Sequence, residues 1–228
     1  MNIELLTASP LRTHRRSHPL EPASTVDLPH TRPSRSALLI SRMIDVVGAS
    51  LMLCVLAVPM LIVGLVIKLT SRGPALYRQV RTGLGGKSFV MYKFRSMRVN
   101  AEAETGPVWS SAGDPRCTRI GNVLRRLSID ELPQLVNVLR GEMSLVGPRP
   151  ERPYFVQSFS RRFPAYARRH QVMPGITGWA QVNGWRGDTS IEKRLEFDLF
   201  YVRNWSVLFN VWILLLTPFA VLVEQNER

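Results

Sequence analysis

Two adjacent carboxylates, Asp130 and Glu131, follow Arg125 and Arg126 in the sequence and precede Arg149, which lies in a Gly-Pro-Arg-Pro segment. Carboxylates placed among guanidinium groups suit chemistry on a diphosphate, because cations and a bound metal ion offset the negative charge of such a substrate. The spacing therefore predicts a metal–diphosphate site centred on Asp130 and Glu131.

The same residues also allow a purely structural interpretation. Ser128 and Glu131 match the S-x-x-E pattern of a capping box, and the helix dipole stabilises acids near a helix N-terminus. Proline is well tolerated only in the first turn of a helix, so Pro133 predicts that a new helix begins close to Ile129 or Asp130. On this interpretation the two acids only start a helix.

An uncharged run at residues 46–67 is long enough to cover the core of a bilayer. Basic residues flank both of its sides, and excess Lys and Arg mark cytoplasmic flanks. The run also contains Pro59, which removes a backbone donor and clashes with the preceding turn. The pattern predicts a re-entrant helix–break–helix over residues 41–72, and a single kinked spanning helix is the alternative.

Composition narrows the class of protein. A net charge of +13 on 228 residues indicates an anionic partner, either nucleic acid, lipid head groups or a phosphorylated substrate. The chain has no zinc-finger spacing and no RNP-like aromatic motif, so we expect no nucleic acid among its partners. Two cysteines give no disulfide framework and indicate a reducing compartment.

Four zones are predicted along the chain. Residues 1–40 are rich in Pro, Ser, Thr, His and Arg, and we expect them to be a disordered tail ahead of the anchor at 41–72. Residues 73–206 hold most of the acids and should form the cytosolic catalytic domain. Residues 207–228 begin with an apolar segment interrupted by Pro218, which favours a membrane-interfacial helix over a second span.

Within the domain, residues 76–81 and 88–94 predict a β-hairpin around a glycine turn. The glycines do not fit a phosphate-binding G-x-x-x-x-G-K-[ST] loop, because Arg81 stands where the first glycine would be. Residues 119–139 show helical spacing, with a break expected at 128–133. The predicted fold class is α+β and mostly helical, with a small β-hairpin in the catalytic domain.

Four stretches of this chain resemble the bacterial sugar transferase family, the monotopic polyprenyl-phosphate phosphoglycosyl transferases. They are residues 92–97 (YKFRSM), 127–134 (LSIDELPQ), 143–150 (MSLVGPRP) and 174–184 (PGITGWAQVNG). Members of this family transfer a sugar 1-phosphate from a nucleotide diphosphate sugar to undecaprenyl phosphate. They have a re-entrant membrane helix, which agrees with the double basic flank.

The resemblance implies a role for each matching residue. Asp130 matches the aspartate nucleophile, which forms a covalent sugar-phosphate enzyme and expels UMP, and Glu131 matches the second acid of the dyad. Both acids are implied to lie at a Mg²⁺ cofactor. The residues implied to bind the phosphates are Arg125, Arg149, Lys93 and Arg95. Those implied to hold the nucleotide sugar are Pro174, Gly175, Thr177, Gly178, Gln181, Asn183 and Arg186.

The chain departs from the family pattern at the anchor. Many members carry Lys-Arg-x-x-Asp at the anchor entrance, whereas residues 41–45 read Ser-Arg-Met-Ile-Asp. The break often reads Ser-Pro, and here it is Val-Pro. Within the anchor, Arg42 and Pro59 are the residues expected to place the chain in the membrane and near the acceptor. Residues 183–189 resemble members that transfer glucose or galactose phosphate.

The expected activity is hexose 1-phosphate transfer from a UDP-sugar to undecaprenyl phosphate, as the first membrane step of exopolysaccharide synthesis. We expect this at the cytoplasmic face of a bacterial inner membrane, with membrane lipid as a further partner. Whether the chain also forms a homo-oligomer is left open. The alternatives are the same reaction on an acetamido sugar, or a non-catalytic basic scaffold on the membrane.

Overall fold

A mostly helical α+β fold is present in the computed structural model, which describes residues 33–103, 105–109 and 113–226. This confirms that the fold is α+β and mostly helical. The helices are α1 (Arg35–Thr70), α2 (Arg119–Arg126), α3 (Gln134–Arg140), α4 (Pro153–Arg162), α5 (Trp179–Val182), α6 (Ile191–Arg203) and α7 (Val207–Asn226). The strands are β1 (Leu76–Thr82), β2 (Ser88–Phe94), β3 (Ser144–Val146) and β4 (Gly175–Thr177).

Helix α1 starts earlier than expected. The Ser34 hydroxyl accepts a hydrogen bond from the Ala37 amide at 3.2 Å and caps the helix, which begins at Arg35. The prediction of disorder for residues 1–40 is therefore wrong for residues 35–40, and residues 1–32 lie outside the described part of the chain. The apolar pattern could not locate the start, because Ser34 caps the helix ahead of the uncharged run.

Pro59 lies inside α1, and the helix is assigned without interruption from Arg35 to Thr70. The proline therefore does not end the helix at the predicted break. By length and composition α1 could cross a membrane. Its large apolar side chains are mostly exposed, with Leu61 at 74% and Leu69 at 77%. Such a surface is unstable in water, which suggests that α1 associates with a membrane.

The N-terminal part of α1 is fixed to the domain by polar contacts. Arg42 donates to the carbonyl oxygens of Val138 (2.6 Å) and Leu139 (2.8 Å), near the C-terminal end of α3. Asp45 is buried and accepts hydrogen bonds from the Ser144 hydroxyl (3.0 Å) and the Leu145 amide (2.8 Å). Arg42 thus holds the anchor against α3, and Asp45 holds it against β3.

The C-terminal end of α1 contacts the same domain. Arg95 donates to the carbonyl oxygens of Arg72 (2.7 Å) and Ser71 (3.0 Å), and to the Ser71 hydroxyl (2.7 Å). Ile67 belongs to a buried apolar cluster with Phe94. Both ends of α1 are therefore attached to one domain.

The predicted hairpin is confirmed. Strands β1 and β2 pair antiparallel, from Leu76 opposite Phe94 to Thr82 opposite Ser88. The free edge of β2 is covered by Asn137 of α3, whose Nδ2 donates to the Val90 carbonyl (2.7 Å) and whose Oδ1 accepts from the Tyr92 amide (3.0 Å). The side-chain amide replaces a neighbouring strand, and it fixes β2 relative to α3.

Helix α7 confirms that the C-terminal apolar segment is helical. Phe209, Asn210 and Ile213 are buried, and Asn210 lies 2.8 Å from the Tyr201 hydroxyl of α6. The opposite side of the helix is apolar and exposed, with Leu208 82% accessible. Helix α7 thus packs on the domain along one side and leaves an apolar stripe uncovered.

Candidate active site

A 3₁₀ turn at Ile129–Glu131 presents the two acids between α2 and α3. Ser128 ahead of it adopts a left-handed conformation with φ 56°, and its side chain makes no capping hydrogen bond. Helix α3 then begins at Gln134, directly after Pro133. The capping-box interpretation is therefore wrong, and the acids do not cap a helix.

Glu131 is held by two cations from different parts of the chain. Lys93 of β2 donates to its Oε1 at 2.8 Å, and Arg149 donates to both carboxylate oxygens, at 2.9 Å for Oε2. Burial alone would raise the pKa of Glu131, but the charges of Arg149 and Lys93 outweigh it and hold that pKa well below its usual range. Glu131 is therefore a fixed anion.

Asp130 has a different environment, although it is the adjacent residue. Burial, followed by the charge of Glu131, raises its pKa from 3.8 to about 6, against the opposing effect of Lys93 and Arg149. It is 7% exposed and accepts no hydrogen bond from any other described residue. A largely buried carboxylate that borders a cavity and has no hydrogen-bond partner among the described residues is suited to act as a nucleophile or to bind a metal ion.

Both acids line a cavity of about 580 Å³. Its described lining contains ten Lys or Arg side chains and only four Asp or Glu side chains, so a polyanion would be attracted into it. The cations are Arg81, Lys93, Arg95, Arg98, Arg116, Arg125, Arg149, Arg152, Arg186 and Arg194. The volume falls within the range of pockets that bind small molecules and cofactors.

The structure brings together three of the four residues expected to bind phosphate. Lys93 and Arg149 flank Glu131, and Arg125 lies on the cavity wall, where its Nη1 contacts the Cys117 sulfur at 2.9 Å. Arg95 also borders the cavity, but both of its terminal nitrogens donate to the segment that follows α1. We therefore assign Arg95 to holding the anchor.

The loop expected to hold the nucleotide sugar is mostly framework. Strand β4 pairs with β3, and a Cβ added at Gly175 or Gly178 would collide with the backbone of Gly147. Gln181 donates to the Ile176 carbonyl at 2.9 Å. Of the seven residues expected to hold the nucleotide sugar, only Arg186 lines the cavity. The six that do not are Pro174, Gly175, Thr177, Gly178, Gln181 and Asn183.

Sequence reasoning missed the end of the cavity that is lined by Trp109, Arg152 and Arg194. Trp109 donates its indole N–H to the Gly187 carbonyl at 3.0 Å, and the Arg194 guanidinium lies 5.2 Å from the Trp109 ring centroid. Arg152 forms two hydrogen bonds with Glu102, at 2.7 and 2.8 Å. These residues come from separate segments with no shared pattern, and only the position of Arg152 beside the Gly-Pro-Arg-Pro segment could have indicated it.

The residues fit a Mg²⁺ ion that is shared with a substrate. Mg²⁺ commonly binds through one or two carboxylates together with substrate phosphates and water. No group of three His, Cys, Asp or Glu side chains in the described residues could hold a metal ion alone. Asp130, whose carboxylate accepts no hydrogen bond from the described residues and borders the cavity, could supply one carboxylate to such an ion.

Known proteins resemble this chain along most of its length. A relative from Escherichia coli (strain K12), described as UDP-glucose:undecaprenyl-phosphate glucose-1-phosphate transferase, is 44% identical over 216 residues, covering 93% of this chain and 46% of the relative. One with the same description from Caulobacter vibrioides is 44% identical over 222 residues, covering 92% and 82%. An Aeromonas hydrophila relative, described as UDP-N-acetylgalactosamine-undecaprenyl-phosphate N-acetylgalactosaminephosphotransferase, is 43% identical over 198 residues, covering 86% and 47%.

The chain spans less than half the length of the Escherichia coli and Aeromonas relatives. It covers most of the Caulobacter relative, and the sequence profile of the family described as Bacterial sugar transferase matches residues 36–224. The four motifs that carried the resemblance lie within that range. This chain belongs to the bacterial sugar transferase family.

Proposed function

We propose that this chain transfers hexose 1-phosphate, from UDP-glucose or UDP-galactose, to undecaprenyl phosphate. The observation that carries the proposal is the contrast between Asp130 and Glu131. One carboxylate is buried without a hydrogen bond, and the other is fixed between Lys93 and Arg149 in a cationic cavity. The relatives described as glucose-1-phosphate transferases support the reaction and its acceptor.

In the proposed reaction, an Asp130 oxygen attacks the sugar-proximal phosphorus of the donor. A bond forms between the Asp130 oxygen and phosphorus while the bond from phosphorus to the bridging oxygen breaks. The bridging oxygen leaves as part of UMP. An oxygen of undecaprenyl phosphate then attacks the same phosphorus, and the Asp130 carboxylate is released. The product is undecaprenyl-diphosphate-hexose, and the kinetics should be ping-pong.

The other side chains of the cavity assist without forming covalent bonds. Glu131 stays ionised throughout, and its pairs with Lys93 and Arg149 fix the position of these cations next to Asp130. Arg125 and Arg149 would stabilise the charge on the transferred and leaving phosphates. Asp130 and Glu131 would hold Mg²⁺, which neutralises charge on the diphosphate when it is bound.

For the anchor, we propose a monotopic arrangement at the cytoplasmic face of the bacterial inner membrane. Its support is that both ends of α1 contact one domain, through Arg42 and Arg95. A helix bent at Pro59 can enter and leave by the same face, and α7 would then lie in the interface. Pro59→Ala should straighten α1 and move a cysteine label at position 72 to the opposite face, whereas an unmoved label would exclude proline as the determinant of topology.

The test of the reaction is UMP release from UDP-glucose, UDP-galactose and UDP-N-acetylgalactosamine, with Mg²⁺ and undecaprenyl phosphate. Wild type should release UMP with one of the hexose donors, and Asp130→Asn should release none. Asp188→Asn, which changes an exposed aspartate, is the matched control and should behave as wild type. Equal release by wild type and Asp130→Asn would exclude Asp130 as the nucleophile.

The second candidate is the same reaction on an acetamido sugar. The Aeromonas hydrophila relative favours it, since its description names N-acetylgalactosamine and its identity to this chain is 43%, close to the 44% of the glucose-named relatives. Release with UDP-N-acetylgalactosamine alone would establish this candidate. If no donor supports release, the non-catalytic scaffold becomes the better explanation of the basic charge.

A further inference from the structure

The β1–β2 hairpin has an outer face that the cavity does not use. Arg78 pairs with Tyr92 and Val80 with Val90, so these four side chains point away from the alternate residues that line the cavity. Val80 is 50% and Val90 40% exposed. Arg140, at the end of α3, donates from Nη1 to the Tyr92 hydroxyl at 2.6 Å. We call these five residues the hairpin outer face.

This face carries positive charge that the protein itself does not neutralise. The guanidinium carbons of Arg78 and Arg140 lie 5.8 and 5.1 Å from the centroid of the Tyr92 ring. The ring attracts each cation, but the two cations repel each other. Among the described residues neither arginine forms an ion pair with a carboxylate. An anion bound next to both guanidinium groups would remove the repulsion.

The position of the face relative to α1 indicates what covers it. Phe94, on the same side of the hairpin, belongs to a buried cluster with Ile67 near the end of α1. Toward the other end of α1, Arg42 donates to the carbonyl of Leu139, the residue before Arg140. The hairpin outer face therefore lies beside both attachment points of the apolar anchor.

We propose that the hairpin outer face docks on the bilayer that holds α1, and that Arg78 and Arg140 bind the head groups of anionic phospholipids. Val80 and Val90 would contact the boundary of the acyl chains, while the arginines keep their charges at the level of the phosphates. The exposed apolar side chains of α1 require an apolar environment, and the charge of the hairpin outer face beside the two attachment points of α1 complements an anionic leaflet. The inference uses the membrane placement of α1 and is independent of the transfer reaction.

The first experiment measures contact with lipid through a nitroxide label. Val80→Cys is made in a Cys54→Ser background, and buried Cys117 is retained, with the unsubstituted background showing any labelling of Cys117. The full chain is reconstituted in vesicles of phosphatidylcholine and phosphatidylglycerol that contain no undecaprenyl phosphate. A label at position 80 should be relaxed more by oxygen than by a water-soluble nickel complex, whereas one at Arg162→Cys should show the reverse.

The second experiment tests the head groups. Removing phosphatidylglycerol should shift the label at position 80 toward water, and Arg78→Gln with Arg140→Gln should abolish that shift. The matched control, Arg161→Gln with Arg162→Gln, removes two exposed arginines elsewhere and should retain the shift. Aqueous exposure of position 80 equal to that of position 162 would overturn the proposal. Spin–spin broadening at position 80 would also overturn it, because it would show that a second copy of the chain covers the face.

Discussion

Asp130→Asn is expected to stabilise the fold at neutral pH while it removes the transferase activity. Burial and the charge of Glu131 raise the pKa of Asp130 from 3.8 to about 6. Because the folded-state value lies above the unfolded one, folding is penalised as the pH rises through this window, and the penalty is complete above it. A difference of roughly two pKa units corresponds to about 3 kcal/mol. Asparagine is similar in shape and cannot ionise, so it removes this penalty.

Thermal unfolding of the purified full chain in detergent would measure the effect. For a domain of this size, a gain of about 3 kcal/mol should raise the melting temperature by roughly 6–12 °C at about pH 7.5. Near pH 4 Asp130 is almost fully protonated in the folded state and only partly ionised in the unfolded state, so the gain should fall to roughly 0.6 kcal/mol. Asp188→Asn, which changes an exposed aspartate, is measured alongside as the matched control.

Two results would refute this reasoning. An Asp130→Asn variant that is less stable than wild type would mean that Lys93 and Arg149 favour the carboxylate more than burial penalises it. A stabilisation that is equal at both pH values would mean that the gain does not arise from the charge of Asp130. In either case burial would not be what raises the pKa of Asp130.

Three further outcomes are expected. Arg149→Lys should lower kcat/KM for UMP release by roughly ten- to a hundredfold, since a lysine cannot donate to both oxygens of Glu131, and a wild-type value would contradict this. Asn137→Ala should lower the free energy of unfolding by about 2–4 kcal/mol in a denaturant titration, because two backbone groups of β2 lose their partner; an unchanged midpoint would exclude that role. Arg95→Gln should speed proteolysis between α1 and β1, because Ser71 and Arg72 lose their hydrogen bonds to Arg95, and it should leave KM for the donor unchanged. A raised KM would instead support the predicted role of Arg95 in binding phosphate.

Much of the fold could be predicted because local pattern and tertiary structure agree. The hairpin followed from two β-rich runs around glycines, and the long apolar run gave α1 apart from its first turns. The turn before α3 could not be predicted from local chemistry. Ser128 fits a capping box by type and spacing, but Glu131 forms ion pairs with Lys93 and Arg149, and these distant partners determine the backbone there.

The centre of the site was recognisable and its periphery was not. Asp130, Glu131 and Arg149 lie in motifs whose residue types already suggest chemistry on a diphosphate. The 174–184 segment has equally suggestive residues, yet the side-chain amides of Gln181 and Asn183 donate to neighbouring backbone carbonyls, a fact that only the folded chain reveals. Trp109 and Arg194 meet across a long separation in sequence, and no local pattern connects them.

The close approach of the Gly147 backbone to Gly175 and Gly178 limits where this chain can diversify. A side chain at Gly175 or Gly178 would collide with the backbone of Gly147, so these two positions are closed to substitution. At the cavity end around Trp109 and Arg194 the described contacts are made by side chains, and Gly187, with φ 63°, is the position there that favours glycine. New donor preferences can therefore arise by substitution at that end, while the framework that supports Asp130 is inherited unchanged. Relatives described for different sugars would then share one scaffold and differ at its variable edge.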